Sequence, residues 1–110
     1  MNYTSNFFEI IKPDDWHIHL REGEMLKAVI NSSTRINVRS VVMPNLTIPI
    51  TSSYLANKYR KEIENYTNLT SFNPLIPCYL TENLDLEDFK FSLENDIFIG
   101  AKIYPQNATT

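Results

Sequence analysis

Glycine, cysteine and histidine are all scarce in this sequence, and each scarcity removes a class of function. Only two glycines occur in 110 residues, Gly23 and Gly100. Neither belongs to a GxGxxG or P-loop pattern, so a Rossmann-type nucleotide-binding reading has no support. One cysteine, Cys78, excludes an intrachain disulfide framework and fits a reducing cytoplasm; with no histidine placed near it in sequence, it reads as a core thiol rather than a nucleophile. No apolar run approaches the length of a membrane span. The segment from Met1 to Asn6 lacks the charged and apolar regions of a secretory signal, so a cytoplasmic location is expected. Net charge is −3 with the basic residues scattered, and neither a Lys/Arg run nor a basic-aromatic stripe invites a nucleic acid. What remains is 43% hydrophobic, with six Tyr, six Phe and one Trp. That is enough for one modest core, in one domain or part of one.

The order of local patterns is informative. Phe7 to Ile11 is a short apolar run that could form an N-terminal strand. After the turn signal Pro13-Asp14-Asp15, Trp16, Ile18 and Leu20 alternate with His17 and His19, which predicts a strand. Gly23 to Ile36 predicts a helix, with Met25/Val29 and Leu26/Ile30 spaced by four. Ser40 to Met43, closed by Pro44, predicts a buried parallel strand. Ser52 to Tyr66 predicts a second helix on Leu55, Tyr59 and Ile63, capped by Ser52 or Ser53. Phe72 to Leu80 is strand-like despite Pro74 and Pro77. Asp85 to Asn95 predicts a third helix with Leu86, Phe89 and Leu93 inward, and Ile97 to Tyr104 the fourth principal strand. This β-α-β-α-β-α-β order predicts right-handed βαβ units on a parallel sheet. A complete (β/α)8 barrel needs roughly 250 residues. The expected fold is therefore α/β, half of such a barrel: about four βα units in one partial domain, 1–110.

Three features could carry chemistry. Both histidines of the chain stand in His17-Ile18-His19. Residues i and i+2 of a strand share a face, so two imidazoles about 7 Å apart at Cβ can converge on one metal ion. Taken alone, the same tripeptide also suits two polar side chains on a solvated strand. Lys102 stands in the otherwise apolar Gly100-Ala-Lys-Ile-Tyr-Pro105. Burial would favour its neutral amine, which can add carbon dioxide to become a carboxylate-like carbamate; the alternative is an edge lysine reaching solvent. Arg21 and Asn45 each follow the C-terminal end of a strand, where parallel α/β folds bind ligands. A guanidinium fork suits a carboxylate. An ion pair of Arg21 with Glu22 or Glu24, and a turn role for Asn45, are the alternatives.

Together, Pro13-Asp-Asp-Trp-His-Ile-His-Leu-Arg21, Val41-Val-Met-Pro-Asn45 and Ala101-Lys-Ile-Tyr-Pro-Gln-Asn-Ala-Thr-Thr110 resemble the homodimeric bacterial type of dihydroorotase, within the amidohydrolase superfamily. Met25-Leu-Lys-Ala-Val29 and Cys78-Tyr-Leu-Thr81 extend the likeness, which runs from about Ile10 to the last residue. The resemblance implies a (β/α)8 TIM barrel, of which these residues are the N-terminal half, with two Zn2+ at its strand ends. His17 and His19 would ligate the more buried ion, and carbamylated Lys102, carrying carbon dioxide, would bridge both. Arg21 and Asn45 would hold the substrate carboxylate beside His19 and Leu20, with Thr109 and Thr110 starting a loop that closes over substrate. The implied reaction is the reversible, pyrimidine-forming cyclisation of N-carbamoyl-L-aspartate to L-dihydroorotate, in a cytoplasmic homodimer. Two further histidines and a catalytic aspartate of the family have no counterpart in these 110 residues. The chain alone is therefore expected to be inactive, poorly stable and prone to associate. A hydantoinase or dihydropyrimidinase, and a non-catalytic binding module, are the alternatives; Arg21 with Asn45 argues against the former, whose ring substrates lack the carboxylate.

Overall fold

A computed structural model of the chain describes residues 6–68 and 71–105. Strands and helices alternate: β1 (Asp15–Ile18), α1 (Gly23–Ile36), β2 (Arg39–Val42), α2 (Ser53–Tyr66), β3 (Asn73–Leu75), β4 (Cys78–Tyr79), α3 (Leu86–Glu94) and β5 (Ala101–Lys102). Among the described residues every strand pairing is parallel: β1 with β2, β2 with β3, and β4 with β5. Parallel neighbours need a crossover between them, and the helices supply it.

The expected strand over Phe72–Leu80 divides in two. Residues 73–75 pair with β2. Past them the partner changes: Ile99 N–H donates to Ile76 O at 3.1 Å, Cys78 N–H to Gly100 O at 2.9 Å, and Leu80 N–H to Lys102 O at 3.0 Å. Pro77, which has no N–H to donate, stands where the chain changes partner. One extended segment thus joins β2 on one side to β5 on the other. The lateral order is the sequence order, as in an opening barrel.

Two further expectations need correction. Phe7–Ile11 has no strand partner among the described residues, and Phe7, Phe8, Ile10 and Ile11 are exposed; an apolar run without a ladder partner is not a strand. The segment expected as a strand from Ile97 contributes only Ala101 and Lys102. The N–H groups of Ile97 and Phe98 both donate to Ser92 O, at 2.8 and 3.1 Å, and so close the turn after α3 instead of joining the sheet.

The helices form where their apolar spacing and caps predict. α1 buries Leu26, Ile30 and Thr34, one face at intervals of four, and leaves Met25 and Val29 outside. α2 buries Ala56, Tyr59 and Ile63, and its N-cap Ser52 accepts from Leu55 N–H at 3.3 Å. In α3 the Asp85 carboxylate accepts from the N–H groups of Glu87 and Asp88, both at 3.1 Å. Its inward face differs from the expected one: Ser92 is buried and Phe89 packs against the core, whereas Leu86 and Leu93 are exposed. The Asp88 carboxylate instead accepts from Ser53 N–H at 2.7 Å and from the Ser53 hydroxyl, tying α3 to the first turn of α2. The core is one cluster between sheet and helices, with Leu20, Leu26, Ile30, Val42, Ile63 and Phe98 at its centre. Cys78 belongs to it, and burial followed by the nearby Asp88 charge pushes its thiol up to about 11, an inert core thiol as expected. No helix among the described residues is long and apolar enough to cross a membrane.

Candidate metal and substrate site at the strand ends

His17 is the third residue of β1 and His19 lies just past its end. Their Nε2 atoms are 3.3 Å apart and their ring centroids 5.2 Å. At that separation one Nε2 can be a donor and the other an acceptor, or both can present lone pairs to a third atom. A tetrahedral ion bound at about 2.0–2.1 Å by two nitrogens requires them to be roughly 3.3–3.4 Å apart. The pair therefore fits a shared zinc ion. Burial, then the Arg21, Lys102 and His17 charges, hold the His19 pKa below the usual imidazole value, which favours the neutral ring that a metal needs. Among the described residues no group of three or more His, Cys, Asp or Glu side chains gathers to hold a metal.

Lys102 stands beside the pair. It lines the same groove as His17, about 350 Å³ in volume, with Val41, Met43 and Pro77 on its walls. Burial lowers its ammonium pKa. Its Nζ donates to Asn45 Oδ1 at 2.7 Å and lies 4.9 Å from the Tyr104 ring centroid. Parallel pairing at β1–β2 and β4–β5 brings all four side chains to one end: Met43 N–H donates to Ile18 O, and Tyr79 aligns with Lys102.

Arg21 and Asn45 line a second cleft of about 240 Å³, with Glu22, Met25, Leu46 and Thr47. Among the described residues Arg21 has no ion pair with Glu22 or Glu24. Glu22 is engaged elsewhere, accepting from Thr47 N–H at 2.8 Å. Leu20 is in the core at 1% exposure, so its side chain is not offered to a ligand. Thr109 and Thr110 lie outside the described residues.

Sequence reasoning missed what holds Arg21. Its φ is +61°, a left-handed conformation that costs a residue with a side chain of order 1–3 kcal/mol unless its surroundings impose it. They do: the Tyr59 hydroxyl donates to Arg21 O at 2.6 Å, and Gly23 N–H donates to Glu62 Oε1 at 2.8 Å. Tyr59 was legible only as a core position of α2. Its second role depends on a contact across 38 residues, which no local pattern announces.

No family model matches the chain. It is 44% identical over its whole length to dihydroorotase of Salmonella heidelberg and 43% identical to dihydroorotase of Escherichia fergusonii, covering 32% of each. The chain thus spans about a third of the length of these curated relatives. Among solved structures, dihydroorotase of Campylobacter jejuni superposes with a TM-score of 0.87 at 28% identity, over 100% of this chain and 32% of that one. Saccharomyces cerevisiae dihydroorotase in complex with 5-fluoroorotic acid superposes with a TM-score of 0.80 at 28% identity, over 89% of this chain and 27% of that one. In sequence and in fold, these 110 residues match the N-terminal third of dihydroorotases.

Proposed function

We propose that this chain forms the first third of a zinc-dependent dihydroorotase. In that reading it contributes three metal ligands and a carboxylate clamp to the reversible cyclisation of N-carbamoyl-L-aspartate to L-dihydroorotate. The observation that carries this is the meeting of the His17 and His19 Nε2 atoms at 3.3 Å, with Lys102 lining the groove beside them. His17 and His19 would hold one Zn2+, and Lys102, as its carbamate, would bridge it to a second. When bound, the metals supply a Lewis acid for the ring amide carbonyl and the means of generating the attacking nucleophile.

The chain's own residues supply the rest. Partial burial raises the neutral fraction of the Lys102 amine. That amine would add to carbon dioxide, its N–C bond forming as a C–O π bond opens and a proton leaves, to give an anionic carbamate able to serve as a metal ligand. Arg21 offers paired donors to the substrate carboxylate, and the Asn45 amide sits close enough to Lys102 to serve both the clamp and the ligand. His19 and the Leu20 backbone lie between these groups. Thr109 and Thr110 would open the loop that covers the bound ring, and the complete protein would be a homodimer in the cytoplasm. The ligand of the yeast structure, 5-fluoroorotic acid, is a ring with the carboxylate that such a clamp would take.

The test is a chimera in which residues 1–110 replace the matching third of the Salmonella heidelberg enzyme. It should turn over L-dihydroorotate and leave dihydrouracil, which lacks the carboxylate, almost untouched. Arg21→Lys should lower kcat/KM for L-dihydroorotate about 10- to 100-fold, the loss of a charge-assisted bond of about 1.5–3 kcal/mol, with metal content unchanged. Normal kinetics in that variant would contradict the clamp, and equal turnover of the two rings would contradict the substrate.

A further inference from the structure

The clamp residues sit on separate loops, Arg21 after β1 and Asn45 after β2. The second loop is held internally, Leu46 and Ile50 N–H both donating to Pro44 O at 3.0 and 3.1 Å, but nothing within either loop sets its distance from the other. The structure joins them through one short network. Glu22 reaches from the first loop to accept from Thr47 N–H in the second at 2.8 Å. Tyr59 and Glu62, one turn apart on α2, grip the first loop from behind, through Arg21 O at 2.6 Å and Gly23 N–H at 2.8 Å. Two backbone groups at the first loop are thereby tied to a helix that is anchored in the core by Ala56 and Ile63, and a third, Thr47 N–H, is tied to the first loop through Glu22.

We propose that Tyr59 and Glu22 are positioning residues for carboxylate recognition: Tyr59 holds Arg21 in its left-handed conformation, and Glu22 sets the spacing between Arg21 and Asn45. This rests on the carboxylate-clamp reading and extends it to residues that never touch substrate. The Tyr59 hydroxyl suits the task because it is a donor aimed at a carbonyl. Burial, then the Glu62 and Glu22 charges, push its pKa up, so it keeps its proton throughout the working range. With the bond gone, Arg21 would be free to relax to negative φ, which swings its side chain away from the cleft it shares with Asn45.

The test uses the chimera and three variants. Tyr59→Phe removes only the hydroxyl, Glu22→Ala removes the acceptor for Thr47 N–H, and Glu22→Gln keeps an oxygen there. Tyr59→Phe and Glu22→Ala should each raise KM for L-dihydroorotate and Kd for 5-fluoroorotic acid about three- to tenfold, the order of one lost hydrogen bond. Zinc content and kcat should stay near the parent values, and Glu22→Gln should restore both constants. A purely structural role would lower the thermal midpoint and leave KM and Kd alone; that result overturns the proposal. If Arg21→Lys weakens both constants while Tyr59→Phe and Glu22→Ala do not, the clamp stands and the positioning role falls. If Arg21→Lys itself changes neither constant, the clamp reading fails and takes this inference with it. Should Tyr59→Phe not fold, the exposed Glu22 pair of variants decides alone.

Discussion

Ser40 sits in the middle of β2 at 0% exposure, and its hydroxyl has no hydrogen-bond partner among the described residues. A buried hydroxyl without a partner costs roughly 1–3 kcal/mol of desolvation, and its removal returns part of that. Ser40→Ala in the chimera should therefore leave the thermal midpoint unchanged or raise it, by the equivalent of about 1 kcal/mol; a clear drop would reveal a bond that the structure does not contain. At this same scale the candidate site was half legible. The i, i+2 spacing of His17 and His19 made their shared face readable, although His19 lies just past the end of β1. The conformation of Arg21 was not readable, because only glycine advertises positive φ in a sequence. The partners of Asn45 and Tyr59 lie 57 and 38 residues away.

Among the elements, the helices were read nearly to the residue and the strands were not. A helix carries its own hydrogen bonds and its own caps, so α1 spans Gly23–Ile36 as the apolar spacing predicts, and Ser52 and Asp85 stand at the expected N-caps. A strand is defined by its partner. Phe7–Ile11 has the composition without the partner, and Phe72–Leu80 has two partners in succession. The inward face of α3 was also misread, because the Asp88–Ser53 tie and not leucine spacing sets its rotation. Asp85 supplies the cap at which that helix begins. Asp85→Ala should cost about 0.5–2 kcal/mol, as for other lost N-caps, and Asp85→Asn much less, measured by thermal unfolding of the chimera. Equal losses in the two variants would assign the effect to charge rather than to the cap.

On the scale of the whole molecule, parallel pairing was legible from the alternation of strands and helices, and the order β1, β2, β3/β4, β5 fits a barrel that these strands do not close. Large apolar side chains remain exposed, including Trp16, Ile99 and Ile103 near the strands. Exposed apolar surface of this kind calls for a covering layer, and the matched dihydroorotases are about three times as long. In the proposed function this chain brings three ligands, His17, His19 and Lys102, to a binuclear zinc site. Zinc per chain, measured by elemental analysis of the purified chimera and of its Lys102→Met variant, tests it most directly. Methionine keeps the apolar bulk of the lysine stem and removes the amine that would carry the carbamate. The account predicts about two zinc ions per chain in the chimera, the number one bridging carboxylate can hold between two sites, and a loss of at least one in Lys102→Met. A folded Lys102→Met chimera that keeps its full zinc content would contradict it.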